Sequence, residues 1–269
     1  MKIGLIQMKV IDNKETNLKK AETLIDTIGK KVDLIVLPEM FNCPYENPKF
    51  IEYAEKENKS PTLERIILKA KEYKIFIVAG SIPEKEGDKI YNTSYIINPT
   101  GEVLGKHRKL HLFDIDVKDE IYFKESDTLS PGDKISTFLL DDCKIGVGIC
   151  YDMRFIEQSR LMALNGADIL IYPGAFNQTT GPAHWELLIR SISLNNQVFT
   201  VACSPALNID ASYHAYGHSM VVDPWGEILE SIDENEGVIV CDIDLNRVKS
   251  VRQQIPVLLN RRDDIYHLK

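Results

Sequence analysis

"VDLIVLPEMF" (residues 32–41) decides the fold. Its apolar run has no polar alternation until Pro38 and Glu39, the pattern of a strand buried on both faces. Such strands belong to sheets whose faces are covered. A second stretch, "ADILIYPGAF" (residues 167–176), follows the same plan, with an apolar strand that stops at Pro173 just before small residues. One look-alike pair is compatible with a duplicated half without establishing it.

Working outward, "KIGLIQM" reads as a strand. Residues Asn13 to Lys30 then place Leu18, Ala21, Leu24, Ile25 and Ile28 on one helical face. Ser60 and Pro61 form a helix start, N-cap then N1, and the helix runs through Lys74 into the strand "IFIVAGS". "YNTSYIINPTGEVLGKHRKLH" reads as two strands joined by a Pro-Thr-Gly turn. Residues 112–134 lack a clear period and are expected to be irregular; long loops in compact domains tend to be functional. The strand "CKIGVGI" follows, then a helix from about Arg154 to Asn165 and the strand "DILIYPG". A helix from His184 to Asn196 leads into "QVFTVACS". Two strands turning at "DPWGE" and the alternating "GVIVCDIDL" come next. The tail after Asn246 is expected to be helical and then irregular, anchored by Ile255, Leu258 and Tyr266. Alternating β and α units with short links predict an α/β fold. No linker rich in Pro, Gly or Ser divides the chain, so residues 1–269 are expected to form a single domain.

Composition narrows the function. The chain has 269 residues, 44% of them hydrophobic, enough for an ample core. No stretch approaches the ~20 apolar residues of a membrane span. The opening "MKIGLIQMKV" is too short in its apolar run for a signal peptide, and no cleavage site follows. No membrane association and a cytoplasmic location are expected. The net charge of −8, with "KHRKLH" the only dense basic cluster, argues against a nucleic-acid surface. The five cysteines are odd in number and never spaced C-x-x-C, as for reduced thiols of a cytosolic protein. Their spacing does not suit zinc, and no metal is expected.

Cys150 lies in "KIGVGICYDMRF" (residues 144–155), where a buried strand turns into a helix. That position is at the carboxyl end of a strand, where α/β proteins place their sites. A helix N-terminus there would favour thiolate over thiol. The alternative is a small buried hydrophobe, the usual fate of a free cysteine. None of the six histidines has a compelling placement as its base. Glu39, ending a buried strand, is costly there without work or a partner. Lys109, inside "KHRKLH", reads on its own as a solvated lysine.

"LPEMF" with Glu39, "HRKLHLFD" with Lys109 and "GICYDMRF" with Cys150 resemble, in the same order, the three signature blocks of the nitrilase superfamily. "FNCPY", "GSIPE", "YNTS", "HLFDIDV", "TLSPGD", "GAFNQTTGPAHWELL", "VDPWGE" and "RQQIPV" resemble its omega-amidase branch, so the likeness runs over nearly the whole chain. The resemblance implies a four-layer α-β-β-α sandwich that pairs as a homodimer. It also implies a catalytic triad of Glu39, Lys109 and Cys150 that hydrolyses C–N bonds through a thioester, without metal or organic cofactor. Glu125, in "YFKESD", matches the second glutamate found near this triad, where it would hold Lys109 by an ion pair; otherwise it is a loop surface charge.

The implied substrates are small monoamides of dicarboxylic acids, 2-oxoglutaramate and 2-oxosuccinamate, yielding the 2-oxo acid and ammonia. Deaminated glutathione or an N-carbamoyl amine is the alternative class. A substrate carboxylate needs a cation. Arg154, in the first turn of a helix, opposes the helix dipole by ~0.3–1 kcal/mol and calls for an anion. That anion is either the substrate or a protein carboxylate such as Asp152 or Glu157. The backbone amide of Phe176 and the hydroxyls of Thr179 and Thr180 are further candidates, unless Gly and Thr here serve the turn. Tyr45 either closes the pocket or packs at the surface.

Overall fold

The computed structural model describes residues 1–118 and 121–268, without the side chain of Ile121. Residues 119–120 of the expected irregular segment, and the last residue of the expected domain, lie outside the described residues. In chain order the first half comprises β1 (Lys2–Gln7), α1 (Lys14–Ile28), β2 (Leu34–Val36), α2 (Asn47–Tyr53), α3 (Pro61–Tyr73), β3 (Phe76–Val78), β4 (Ile82–Glu86), β5 (Lys89–Ile97), β6 (Val103–Arg108), β7 (Asp114–Val117) and β8 (Ile121–Lys124). The second comprises β9 (Ser136–Leu140), β10 (Cys143–Val147), α4 (Ile156–Leu164), β11 (Ile169–Pro173), α5 (Gly181–Asn196), β12 (Phe199–Cys203), β13 (Met220–Val222), β14 (Ile228–Ser231), β15 (Gly237–Asp242) and α6 (Asn246–Gln254).

Two sheets face each other. One has the order β15-β1-β2-β3-β5-β4, with β6 paired to β5; the other runs β14-β13-β12-β11-β10-β9. Between them lies a dry layer that includes Ile3, Leu5, Val36 and Val78 from the first sheet and Ile145, Val147, Ile171 and Val201 from the second. Fully burying each such side chain contributes ~1.5–3 kcal/mol. Helices α1 and α3 cover the outer face of the first sheet through Leu18, Ile25, Leu63 and Ile66. Helices α4 and α5 cover the second through Met162, Trp185 and Ile189. The result is an α-β-β-α sandwich.

The look-alike stretches occupy matching places. β2 runs parallel between β1 and β3, and β3 is followed by antiparallel β5. β11 runs parallel between β10 and β12, and β12 is followed by antiparallel β13. Doubly flanked and covered on both faces, β2 and β11 can carry only apolar side chains.

Local signals act as expected at several ends. Asn13 caps α1 by accepting from the Thr16 N–H, and Ser60 caps α3 by accepting from the Leu63 N–H. Elsewhere the structure corrects the sequence reading. Residues 112–134 are not wholly irregular: β7 and β8 form a hairpin, followed by a 3₁₀ turn at Glu125–Asp127. The helix expected from Arg154 is broken. A 3₁₀ turn spans Cys150–Arg154, closes when the Phe155 N–H returns to the Asp152 carbonyl, and α4 starts only at Ile156. α5 begins at Gly181, three residues before His184, because Pro182 is tolerated in a first turn. Of the three expected anchors of the tail, Leu258 packs against the core, whereas Ile255 and Tyr266 are each about half exposed.

Candidate active site

Glu39 leaves the first sheet just after β2. The turn depends on Gly80, whose φ is +44° and whose Cβ, if present, would lie 2.1 Å from the Pro38 carbonyl oxygen. Met40, at φ +51°, donates its N–H to Ser81 Oγ at 3.1 Å. The carboxylate so presented is fully buried and completely engaged. Oε1 accepts from Lys109 Nζ at 3.0 Å and from Asn92 Nδ2 at 2.8 Å. Oε2 accepts from the Ala175 N–H at 2.7 Å.

Lys109 follows β6 and is held by its backbone: its N–H donates to the Asn92 carbonyl and its own carbonyl accepts from the Gly132 N–H. The buried ammonium sits between two carboxylates, 3.0 Å from Glu39 Oε1 and 3.0 Å from Glu125 Oε1. Glu125 is fixed in turn by the Phe113 N–H, 2.6 Å from Oε2, and by the Tyr45 hydroxyl, 2.6 Å from Oε1. Burial disfavours the ammonium, but Glu125 and Glu39 outweigh it, and Lys109 is held above its usual range and charged.

Cys150 hangs from the second sheet, at the end of the strand that contains β10. Its φ is +47°, a left-handed conformation costing a residue with a Cβ ~1–2 kcal/mol. The Glu39 carboxylate and the Lys109 ammonium both lie close enough to act on the thiol electrostatically. The expectation of a thiolate favoured by a helix terminus does not hold. The helix it opens is a five-residue 3₁₀ turn, too short for much dipole, and burial together with the Glu39 charge pushes the thiol well up. The resting form is the neutral thiol, and ionising it requires the neighbouring carboxylate. Burial likewise raises Glu39, Lys109 pulls it back, and Glu125 adds to the rise.

Beside Glu39 opens a pocket of about 250 Å³, lined by Glu39, Cys43, Tyr45, Ala175 and Tyr213 among others. Tyr45 and Tyr213 stack with ring centres 4.6 Å apart, and the Tyr213 hydroxyl donates to the Ala175 carbonyl. Tyr45 is therefore buried in the site rather than packed at the surface.

Glu39, Lys109, Cys150, Glu125 and Tyr45 are thus brought together. Of these, Glu39 and Tyr45 line that pocket, whereas Lys109, Cys150 and Glu125 lie behind its lining; Arg154, Phe176, Thr179 and Thr180 gather near the N-terminal end of α5. Arg154 Nη2 lies 3.2 Å from His184 Nδ1, and its guanidinium faces the Phe176 ring at 5.1 Å. It makes no ion pair with a carboxylate among the described residues; Asp152 is taken by His107 and His111 instead. Asn177 Oδ1 accepts from the N–H groups of Thr179 and Thr180 and from the Thr180 hydroxyl, so these threonines serve the turn. Among the described residues no group of three or more His, Cys, Asp and Glu is arranged to hold a metal.

Three contributors escaped the sequence reading: Asn92, Ala175 and Tyr213. Asn92 had a signal, since Asn92, Thr93 and Ser94 are consecutive polar residues inside a strand, and all three are fully buried. Ala175 acts through its backbone and Tyr213 comes from a remote loop, so neither had one.

A carboxylate, an ammonium and a thiol are thus buried together at the meeting of the two sheets. Residues 2–253 match the carbon-nitrogen hydrolase family, and the chain belongs to that family, within the nitrilase superfamily. The chain is 49% identical to "Omega-amidase NIT2" of Xenopus tropicalis, over 100% of this chain and 97% of that protein. It is 51% identical to "Nitrilase homolog 2" of Dictyostelium discoideum, over 99% of this chain and 82% of that one. The crystal structure of Saccharomyces cerevisiae Nit3 superposes with a TM-score of 0.89 at 43% identity, covering 97% and 96% of the two chains.

Proposed function

We propose that this chain is an omega-amidase that hydrolyses the terminal amide of 2-oxoglutaramate, and of 2-oxosuccinamate, to the 2-oxo dicarboxylic acid and ammonia. The reaction class is supported by one arrangement: the Glu39 carboxylate and the Lys109 ammonium, 3.0 Å apart, are buried together with the Cys150 thiol. The substrate class rests on likeness, over essentially the full chain, to proteins named omega-amidase.

In this mechanism Glu39 takes the thiol proton as the sulfur attacks the amide carbon. The oxyanion that forms faces the Lys109 ammonium; one such stabiliser is typically worth ~3 kcal/mol of barrier. Glu39 returns the proton to the leaving nitrogen, ammonia departs and a thioester remains. Water, deprotonated by Glu39, then attacks the thioester, and the acid leaves as the thiol re-forms. A base works best with its pKa near the working pH, and the burial that raises Glu39 moves it in that direction. Glu125 keeps Lys109 aimed and charged. Arg154 holds the distal carboxylate of the substrate: among the described residues its guanidinium pairs with no carboxylate, and the nearby start of the sixteen-residue α5 favours an anion. The backbone amide of Phe176 completes that end.

Two further readings belong here. Ile156, Leu187 and Leu194 on α4 and α5, with Leu259 and Ile265 on the tail, are large exposed apolar residues, and we assign this face to a homodimer. All five cysteines are free, as suits a reducing cytoplasm. No helix of the described residues is long and apolar enough to cross a membrane. The deciding experiment is mass spectrometry of the protein quenched during turnover of 2-oxoglutaramate. An acyl mass on the Cys150 peptide is expected; turnover with acylation elsewhere, or no turnover at all, overturns the assignment.

A further inference from the structure

One buried carboxylate outside the reaction touches both segments that meet at the site. Asp152, fully buried, lies two residues beyond the nucleophile. Its Oδ2 accepts from the Ile149 N–H at 2.9 Å, the peptide that leads into Cys150, and from His107 Nε2 at 3.2 Å. Its Oδ1 accepts from the His111 N–H at 3.0 Å and from His111 Nδ1 at 2.7 Å. His107 and His111 stand two positions to either side of Lys109. The one carboxylate therefore holds the lysine segment on both flanks, before and after its bend at Leu110 and His111.

Both histidines are gripped from a second side. His107 Nδ1 lies 3.1 Å from Ser136 Oγ on β9. The His111 ring stacks on Phe155 with centres 3.5 Å apart and planes 9° off parallel. Phe155 caps the far end of the 3₁₀ turn that Cys150 begins. The turn is therefore clasped at its start through Ile149 and at its end through Phe155, and the left-handed Cys150 backbone sits between. A strained residue persists only where its surroundings over-determine it, and these bonds do so.

We propose that Asp152 is a positioning residue that sets the Cys150 sulfur in register with the Lys109 ammonium, gripping the lysine segment through His107 and His111. The inference rests on the amidase reading for its activity readout. Its second readout, alkylation of Cys150 by iodoacetamide followed by peptide mass, needs no substrate.

The test compares Asp152→Asn, His111→Asn and His111→Phe with the wild type. The amide in Asp152→Asn must turn an NH₂ toward donors. Its kcat is expected to fall about 100-fold, the scale of a ~1 Å misplacement, with KM changed less than about threefold and Cys150 alkylation slowed. Asparagine at 111 offers an N–H where Nδ1 sits, whereas phenylalanine keeps the stacking and loses the donor. His111→Asn should stay within about fivefold of wild type and His111→Phe should lose at least about 30-fold, at similar melting temperatures. Asp152→Asn with wild-type kcat and alkylation rate would overturn the inference. So would equal losses in the two His111 variants, and these decide the matter if Asp152→Asn fails to fold. Absence of wild-type turnover would instead strike the amidase reading, leaving the alkylation rates to judge Asp152.

Discussion

The main-chain N–H of Ala175 donates to Oε2 of Glu39 at 2.7 Å, joining residues 136 positions apart in the chain. Each residue follows the central strand of its own sheet, one in "VDLIVLPEMF" and the other in "ADILIYPGAF". The similarity of those stretches is thus used functionally: one presents a carboxylate and the other the amide that orients it. Glu39→Gln would keep the size of the side chain but remove the base and set an NH₂ against a donor. Its kcat should fall by about 10²–10⁴-fold with the fold retained, measured as ammonia release.

Lys109→Met removes the cation from between two buried carboxylates. Breaking such a cluster typically costs ~3–5 kcal/mol, read by urea unfolding, and turnover should disappear. Adding Glu125→Gln to Lys109→Met should recover part of the stability and none of the activity. Retained turnover with Met at 109 would favour a cysteine–histidine hydrolase.

The pH profile follows from Glu39. Its carboxyl is raised above the ordinary value of 4.5, so the base form appears only at higher pH, and the acid limb of kcat/KM should lie above 4.5. Removing Lys109 should raise any residual limb further, because the ammonium favours the charged form. For stability the signs oppose. The folded chain binds the Glu39 proton more tightly than the unfolded one, so that contribution is present below pH 4.5 and lost as pH rises through the raised value. Asp152 is pushed up by burial but pulled further down by His107 and His111. Its contribution is present above the ordinary aspartate value of 3.8 and lost as pH falls.

Arg154→Met tests the carboxylate anchor. A lost charge-assisted hydrogen bond is worth ~1.5–3 kcal/mol, so kcat/KM for 2-oxoglutaramate should fall roughly 10–150-fold. A short neutral amide should be hydrolysed as before. Equal losses on both substrates would place the arginine in structural support.

The parts of this molecule legible in its sequence are those with a period or a cap. β2 and β11 announced themselves by unbroken apolarity, α1 by its apolar face, and α3 by Ser60 and Pro61 at its start. α2 is only seven residues long, too short to show a period, and β4 carries "IPEKE", a proline and three charges at a sheet edge. The β7–β8 hairpin was missed because each strand is four residues long: Asp114–Val117 alternates, but its partner Ile121–Lys124 begins with three apolar residues in a row. At the site, Glu39, Lys109 and Cys150 stood out by resemblance to known blocks, and Glu39 and Cys150 also by position. Asp152 was weighed only as a partner for Arg154. Nothing in a linear string shows that two histidines some forty residues upstream (41 and 45 positions away) reach it first.

Glu39 and Lys109 are suspended from one sheet, Cys150 and Ala175 from the other, and the apolar layer between the sheets, with the Ala175 and Asp152 hydrogen bonds at its edge, fixes their separation. Turnover therefore gauges the gap between the two halves of the sandwich. Dilute urea that lets the layers slip should silence the enzyme while its helical circular dichroism is still intact. A substitution within that layer, such as Val36→Ala, should narrow the range of denaturant over which the protein still works.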